Sequence, residues 1–199
     1  IDQGVAGLFA VCQSSEMLAL SLEERTGIAR FVKERCEGRI PVIASGHISE
    51  GKEDQIIELK AMRDTGIDAV VVISGRVAKE DEDDEVWKRN AEIIMKEVTE
   101  IPLGIYECPA PYKRLMCPEM LKWCADTGRF VFLKDTCCDI DQIREECKAV
   151  EGTNFKIYNA NASSLLESLK LDCSGFSGIM ANVHPDLYVW LIDNWEKEG

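Results

Sequence analysis

The chain has 199 residues and a net charge of −13 at pH 7, because 36 acidic side chains oppose 23 basic ones. Nucleic-acid binding needs Lys and Arg that displace counterions from phosphates, and an anionic membrane surface attracts the same residues. The chain also contains no run of about 18 apolar residues, the length that a membrane-spanning helix needs. We therefore expect neither nucleic acid nor a membrane as a partner.

Short apolar runs rich in β-branched and aromatic residues recur along the whole chain. They are more uniformly apolar than a half-exposed strand, which is typical of parallel strands covered on both faces. The runs predict strands within residues 5–11, 40–45, 68–74, 101–107, 129–135, 155–160 and 175–181.

Amphipathic stretches between these runs predict helices. The first begins after Ser21, which forms a capping-box pattern with Glu24, and Gly38 is a suitable C-terminal stop. We interpret the acidic run 79–85 as the solvated first turn of a helix, because carboxylates suit the positive end of the helix dipole. Further helical segments are 53–66, 85–100, 118–128, 141–152, 163–172 and a last one after Pro185.

This alternation of strands and helices predicts a parallel α/β fold with right-handed crossovers. An open doubly wound sheet and a closed (β/α)8 TIM barrel are both compatible with it. The first strand leads into VCQSSEM (11–17) rather than a glycine-rich phosphate loop, and polar residues follow several strands. A barrel gathers such strand ends at one mouth, so we favour the barrel.

The predicted barrel is one strand short. Seven strand runs are visible, and a barrel that lacks its eighth strand stays open and leaves an edge with unpaired backbone groups. We therefore expect residues 1–199 to form a single (β/α)8-barrel domain that lacks its first strand–helix unit.

The nine cysteines do not form the pattern of a disulfide framework, since their number is odd and none belongs to a C-x-x-C pair. Reduced thiols are typical of a cytoplasmic protein, and we expect that location. Cys137 and Cys138 are adjacent and the two histidines, His47 and His184, are distant in sequence, so no metal site is predicted. We interpret His47 as an ordinary loop residue.

Six segments, in order, resemble the dihydrodipicolinate synthase / N-acetylneuraminate lyase family of class I aldolases. FVFLKDT (130–136) resembles the family's Schiff-base strand, and IPLGIYECPAP (101–111) resembles its strand with the Tyr-Asn-x-Pro motif. The other four segments are GVAGLFAVCQSSEMLALSLEER (4–25), RIPVIASG (39–46), TGIDAVVVI (65–73) and GFSGIMANVHP (175–185). The resemblance covers nearly the whole chain and implies that the family's C-terminal helices also lie outside it.

Lys134 follows four apolar residues at the end of the fifth predicted strand. A lysine amine attacks a ketone only when it is neutral, and desolvation disfavours the ammonium form. The residues alone favour a solvated lysine that pairs with Asp135. The resemblance implies instead that Lys134 forms a Schiff base with pyruvate or a related 2-oxo acid. The imine itself is then the electron sink, so no cofactor is expected.

The resemblance assigns roles at other strand ends. It makes Tyr106 the phenol that relays protons, although the residues alone favour a core tyrosine. Gln13, Ser14 and Ser15 fall in the segment that holds the substrate carboxylate in the family, and Asn159 stands where a substrate hydroxyl would be contacted. The family also implies a homo-oligomer, either a dimer or a tetramer.

The chain departs from the family pattern in ways that bear on substrate. Gln13 replaces a hydroxyl residue, the turn after the third predicted strand (74–77) lacks the usual tyrosine pair, and Pro111 stands where synthases carry an arginine. We therefore do not expect dihydrodipicolinate synthase activity itself. The alternatives to a lyase or aldolase are a sugar-acid dehydratase of the same family and a barrel that binds an oxo acid without turnover.

Overall fold

Strands and helices alternate throughout residues 1–197, the part of the chain that this computed structural model describes. They divide into two compact units, one of Ile1 and Ala6–Arg114 and the other of residues 2–5 and 115–197. Within each unit the strands run parallel, so the predicted α/β fold is confirmed.

The first unit contains a four-stranded parallel sheet. Every residue of its third and fourth strands is buried, as their uniformly apolar sequences predict. In spatial order the strands are β1 Leu8–Val11, β2 Val42–Ala44, β3 Ala69–Ile73 and β4 Leu103–Tyr106.

This sheet is strongly curved. Two strands separate β1 from β4, and in a flat sheet three spacings of about 4.8 Å would hold them about 14 Å apart. The ring centroids of Phe9 on β1 and Tyr106 on β4 nevertheless lie only 5.7 Å apart, in an edge-to-face contact. Side chains on the concave face therefore meet across the sheet, as they do inside a barrel.

The helices of the first unit are α1 Leu22–Cys36, α2 Lys52–Arg63, α3 Ser74–Val77 and α4 Asp84–Glu97. The predicted capping box of α1 is confirmed. The Ser21 hydroxyl accepts from the Glu24 backbone N–H at 3.2 Å, and Glu24 Oε2 accepts from the Ser21 N–H at 2.8 Å. Gly38, just beyond the helix, has a φ of 73°, which suits glycine at a helix C-terminus.

The acidic run leads into α4 as predicted. Asp83 caps the helix by accepting from the Val86 N–H at 2.9 Å, and Asp84 and Glu85 occupy its first turn. The short helix α3 was not predicted, because four residues are too few to show a helical period. Gly75 within α3 has no room for a side chain, since a Cβ would lie 2.5 Å from the Tyr112 carbonyl oxygen.

A buried ion pair joins the first two helices of this unit. Arg25 Nη2 on α1 lies 2.7 Å from Glu58 Oε1 on α2, and the side chains are only 3% and 7% exposed. The second carboxylate oxygen accepts from the Ile48 and Ser49 N–H groups at 2.8 and 3.1 Å. One carboxylate thus fixes both helices and the loop that follows β2.

The second unit has a three-stranded parallel sheet, with β6 between β5 and β7. Its strands are β5 Phe130–Asp135, β6 Lys156–Asn159 and β7 Gly175–Phe176, and its helices are α5 Pro118–Asp126, α6 Ile140–Ala149, α7 Leu165–Leu169 and α8 Pro185–Asn194. None of the helices in residues 1–197 is long and apolar enough to cross a membrane.

The prediction of a seventh strand over 175–181 is wrong beyond Phe176. The strand ends there, and a single 3₁₀ turn covers Ile179–Asn182. The Phe176 ring folds back over Gly178, where a Cβ would lie 2.1 Å from the ring Cζ. The ring also stacks on Tyr188 of α8 at 4.3 Å, so packing against the helix bends the chain out of the sheet.

Candidate active site

Lys134 is buried on β5 of the second unit, with only 8% of its surface exposed. Lysines are rarely buried to this extent, because the ammonium loses its hydration. The alternative of a solvated lysine paired with Asp135 does not match the geometry. Asp135 Oδ1 accepts from the Cys137 backbone N–H at 2.8 Å instead. Consecutive residues of a strand also point to opposite faces of the sheet.

Tyr158 on β6 lies directly opposite Lys134 in the parallel register. Residues paired in this way extend from the same face of a sheet, and Phe132 shares that face because it is two residues from Lys134. Burial raises the pKa of the Tyr158 phenol, which therefore stays protonated at neutral pH. Tyr158 was not selected in the sequence analysis. The alternation of side chains between the two faces of the strand FKIYNA (155–160) could have indicated that it was a candidate.

Tyr106 closes β4 in the first unit and is 5% exposed. Its hydroxyl donates to Gln13 Oε1 at 3.4 Å, and Gln13 begins the turn that follows β1. Burial raises the pKa of the Tyr106 phenol, and the nearby Cys108 and Cys12 add to the shift. The phenol is therefore a proton donor at neutral pH, and its observed acceptor is a side-chain amide oxygen.

Ser14 and Ser15 lie in the same turn but differ in what their hydroxyls contact. Ser15 Oγ accepts from the Cys12 backbone N–H at 2.9 Å and donates to the Cys12 carbonyl at 2.8 Å, so it stabilises the turn itself. Ser14 is exposed, and its hydroxyl lies 3.0 Å from Cys12 Sγ. Of the two, Ser14 has the hydroxyl that a ligand can reach.

Asn159 is fully buried at the end of β6 and occupied by contacts within its own unit. Its amide nitrogen donates to the Ser164 and Ser168 hydroxyls at 3.0 Å each, and its oxygen accepts from the Asn161 N–H at 2.7 Å. It pairs with Asp135 in the register and so lies on the sheet face opposite Lys134. These contacts favour a structural role, and a contact with substrate stays a prediction without geometric support.

His47 lies in the loop after β2, as expected, and is fully buried there. Its Nε2 accepts from the Ile73 N–H at 2.5 Å, and its Nδ1 donates to Gln55 Oε1 at 3.3 Å. The contact with Ile73 requires an unprotonated Nε2 and therefore the neutral imidazole. Burial lowers the pKa of His47 to about 4, and Arg76 and Arg25 oppose protonation further. The ring is therefore a structural link between the β2 loop, α2 and β3.

Because His47 is neutral when folded, stability should fall as pH drops. The pKa is about 4 in the folded protein against 6.5 in the unfolded chain. The contribution of neutral His47 to the free energy of unfolding is fully present above about pH 6.5. It is lost progressively down to about pH 4, by about 3 kcal/mol in total. Urea unfolding of the native chain and a His47→Gln variant across this range measures the difference. His184→Gln, at an exposed position, should follow the native curve, and equal slopes for all three proteins would contradict the assignment.

A sequence profile of the Dihydrodipicolinate synthetase family matches residues 1–199. The chain belongs to this family. Two curated relatives show the range of names within it. YagE of Escherichia coli K12, provisionally named a 2-dehydro-3-deoxy-D-gluconate aldolase, is 29% identical over 98% of this chain and 64% of its own length. The 4-hydroxy-tetrahydrodipicolinate synthase of Psychrobacter arcticus is 26% identical over 93% of this chain and 60% of its own length.

Solved structures agree with the family assignment. The crystal structure of YagE in complex with pyruvate has a TM-score of 0.87 and 26% identity, and the match covers 98% of this chain and 65% of YagE. The pyruvate complex of dihydrodipicolinate synthase from Acinetobacter baumannii also has a TM-score of 0.87, but its 22% identity shows the fold alone. The chain thus spans a little under two thirds of the length of these structures.

Proposed function

We propose that this chain is the lysine-bearing part of a lyase or aldolase that forms a Schiff base with pyruvate or a related 2-oxo acid. The observation that carries the proposal is the burial of Lys134 at 8% exposure, on the strand whose FVFLKDT sequence resembles the family's Schiff-base strand. A desolvated amine has a larger neutral fraction and so attacks a carbonyl more readily. Relatives in the family are named as an aldolase and a synthase, which supports an enzyme rather than a binding protein.

In the proposed reaction the Lys134 amine attacks C2 of the oxo acid, and the carbonyl oxygen leaves as water. The C3–C4 bond then breaks: the C4 hydroxyl gives its proton to water and becomes the aldehyde carbonyl, and the iminium accepts the electron pair of the bond to become an enamine. Protonation at C3 and hydrolysis then release pyruvate and restore the amine. The lysine is the electron sink throughout, so the proposed chemistry uses no metal and no organic cofactor.

Tyr106 is the proposed proton donor for loss of the carbonyl oxygen. Its phenol is buried, protonated and held by Gln13. Ser14, with its exposed hydroxyl, is the proposed ligand of the substrate carboxylate. We propose that Gln13 positions the Tyr106 phenol and that Ser15 stabilises the turn. The polar atoms of both side chains already make the contacts that these roles need.

Replacement of Tyr106 by Phe should slow imine formation by about 10²- to 10⁴-fold, the usual contribution of a positioned acid or base. Stability should change by only about 1 kcal/mol, because the Phe9 ring contact is retained and one hydrogen bond is lost. The rate of borohydride-trapped adduct formation and a urea titration measure the two effects. An unchanged trapping rate would remove Tyr106 from the mechanism.

The direct test of the proposal is reduction with borohydride in the presence of pyruvate. We expect a covalent adduct with the mass of one reduced pyruvate, located on the peptide that contains Lys134. Lys156, exposed on the neighbouring strand of the same unit, is the internal control and should stay unmodified. An adduct spread over several lysines, or no adduct with any of several 2-oxo acids, would contradict the proposal.

The substrate that would be cleaved is proposed from similarity to YagE. A 2-dehydro-3-deoxy sugar acid is the first candidate, since that compound class appears in the name of YagE. Dihydrodipicolinate synthase activity is not proposed, because Pro111 replaces the arginine of synthases. Pyruvate release from such sugar acids tests the aldolase, whereas release of water with an intact carbon chain would indicate the dehydratase.

One observation favours the alternative of binding without turnover. The Tyr106 hydroxyl donates to an amide oxygen, and an amide oxygen has no hydrogen of its own to pass onward, unlike a hydroxyl. A protein of this kind would bind a 2-oxo acid, with or without a trapped imine, but would release no product from any sugar acid. Trapping and product release together therefore separate the two candidates.

The wider organisation also remains a proposal. We propose that the curved sheet of the first unit and the parallel sheet of the second are parts of one (β/α)8-barrel domain, which the family profile and the pyruvate-bound YagE structure support. A homo-oligomer, either a dimer or a tetramer, and a cytoplasmic location stay predictions. Sedimentation of the purified protein would measure the oligomeric state.

A further inference from the structure

Three side chains of the second unit converge on the face of β5 opposite Lys134. Asp135 ends β5, Glu146 lies on α6, and Cys137 lies in the loop between them. Asp135 and Glu146 are each 0% exposed, and Cys137 is half-buried. A carboxylate oxygen from each acid and Cys137 Sγ all lie within 4.8 Å of one another. The proposed Schiff-base chemistry uses none of the three.

The Asp135 carboxylate is incompletely satisfied at this place. Its Oδ1 accepts from the Cys137 N–H at 2.8 Å, whereas its buried Oδ2 has no hydrogen-bond partner among residues 1–197. A buried carboxylate oxygen without a partner is costly, because it has lost its hydration without compensation. Such an atom in a folded protein indicates a ligand, such as an ion or a water molecule.

The two carboxylates are held on rigid elements. Asp135 is fixed at the end of a paired strand. Glu146 lies on α6, whose start is capped by Asp139 Oδ1 accepting from the Asp141 N–H at 2.9 Å, and Gln142 Nε2 donates to Glu146 Oε1 at 2.8 Å. Cys137 lies in the loop, where its Sγ contacts the Asp139 N–H at 3.3 Å and the Asp139 carbonyl at 3.4 Å. Ligands supported in this way can bind an ion with little reorganisation.

We propose that Asp135, Cys137 and Glu146 bind a divalent cation of the zinc class. One thiol and two carboxylates suit a borderline-soft ion, whereas calcium and magnesium take six or more oxygen ligands. Tetrahedral ligands at bond lengths of about 2.0 to 2.3 Å lie about 3.5 Å from each other. The three atoms must therefore close by up to about 1.3 Å, which small rotations of the three side chains can supply. A water molecule completes the fourth position.

Such an ion has a structural role, because it lies on the sheet face opposite Lys134. It ties the end of β5, the following loop and α6 together. The proposal therefore revises the sequence-based expectation of no metal site and is independent of the proposed enzymology. The chain could bind the ion and lack aldolase activity, or the reverse.

Zinc binding by the purified chain, stripped with EDTA, tests the proposal by equilibrium dialysis. We expect one zinc ion per chain, and a sulfur-to-metal charge-transfer band when cobalt replaces zinc. Asp135→Asn, Cys137→Ser and Glu146→Gln should each weaken binding by at least about 100-fold, since even a partner that only supports a ligand costs about 10- to 100-fold. Circular dichroism of the metal-free variants checks that each one folds.

Two matched controls address the other thiols. Cys138, the exposed neighbour of Cys137, should be replaceable by Ser without loss of zinc. Cys147→Ser tests the separate thiol pair in which Cys147 Sγ lies 3.5 Å from Cys173 Sγ, and zinc should again be retained. Zinc lost in Cys147→Ser but kept in Cys137→Ser would overturn the proposal, as would the absence of stoichiometric zinc binding by the native chain.

Discussion

Lys134→Arg is expected to abolish borohydride-trapped adduct formation with pyruvate and to lower any lyase activity by at least about 10³-fold, as loss of a covalent nucleophile does in other enzymes. Arginine keeps a positive charge and a long side chain at the buried position, but its guanidinium stays protonated and does not form the imine. The change therefore separates nucleophilic chemistry from simple charge attraction of an anion. Trapping by mass spectrometry and a pyruvate-release assay measure the effect.

The matched control is Lys156→Arg on the adjacent strand. Lys156 is exposed, so this variant should keep both trapping and activity. Weak binding of pyruvate by Lys134→Arg would be compatible with the proposal, because the carboxylate ligand Ser14 is intact. Trapping of pyruvate at native level by Lys134→Arg would show that another amine forms the adduct.

Glu58→Gln should destabilise the first unit by about 3–5 kcal/mol, because it leaves the Arg25 guanidinium buried without its counter-charge. The side-chain amide keeps the shape of the carboxylate, so packing is nearly unchanged. The effect combines the lost charge with one lost acceptor, because the amide nitrogen replaces an oxygen that accepts from Arg25 or from the Ile48 and Ser49 N–H groups. Trp87 is fully buried in this unit and donates to the Ser74 carbonyl at 3.0 Å. Its fluorescence reports unfolding of the unit in urea.

Glu97→Gln is the matched control for Glu58→Gln. Glu97 Oε2 also lies 2.7 Å from a lysine, Lys60 Nζ, but these side chains are 43% and 37% exposed. Exposed pairs contribute only about 0–1 kcal/mol, because water screens them. Equal destabilisation by the two variants would show that burial of the Arg25–Glu58 pair is not what makes it important.

Local patterns predicted most of the fold. The capping box of Ser21 and Glu24 involves residues three apart, and the apolar runs that became β3 and β5 are continuous in sequence. Both signals depend on neighbours along the chain, and both were confirmed. The seventh strand was predicted too long because its end depends on Phe176 packing against Tyr188 of a later helix, a contact that no local pattern contains.

The candidate site was less accessible to sequence reasoning. The burial of Lys134 agrees with the prediction from FVFLKDT, but the face of a strand that each residue occupies follows from the register. Register places Tyr158 beside Lys134 and places Asn159 on the other face. The cluster of Asp135, Cys137 and Glu146 was not recognised. Glu146 is brought back to β5 by α6, and its spacing in sequence from Cys137 is not that of a known metal-binding motif.

The contact between Tyr106 and Gln13 spans 93 positions of the chain. Contacts of such high sequence separation close large loops and form late in folding, after local helices and turns. All four strands of the first unit must be paired before the phenol reaches its acceptor. The proton donor of the proposed reaction is consequently a product of the completed sheet, and it is in place only after residues 13 to 106 have folded together.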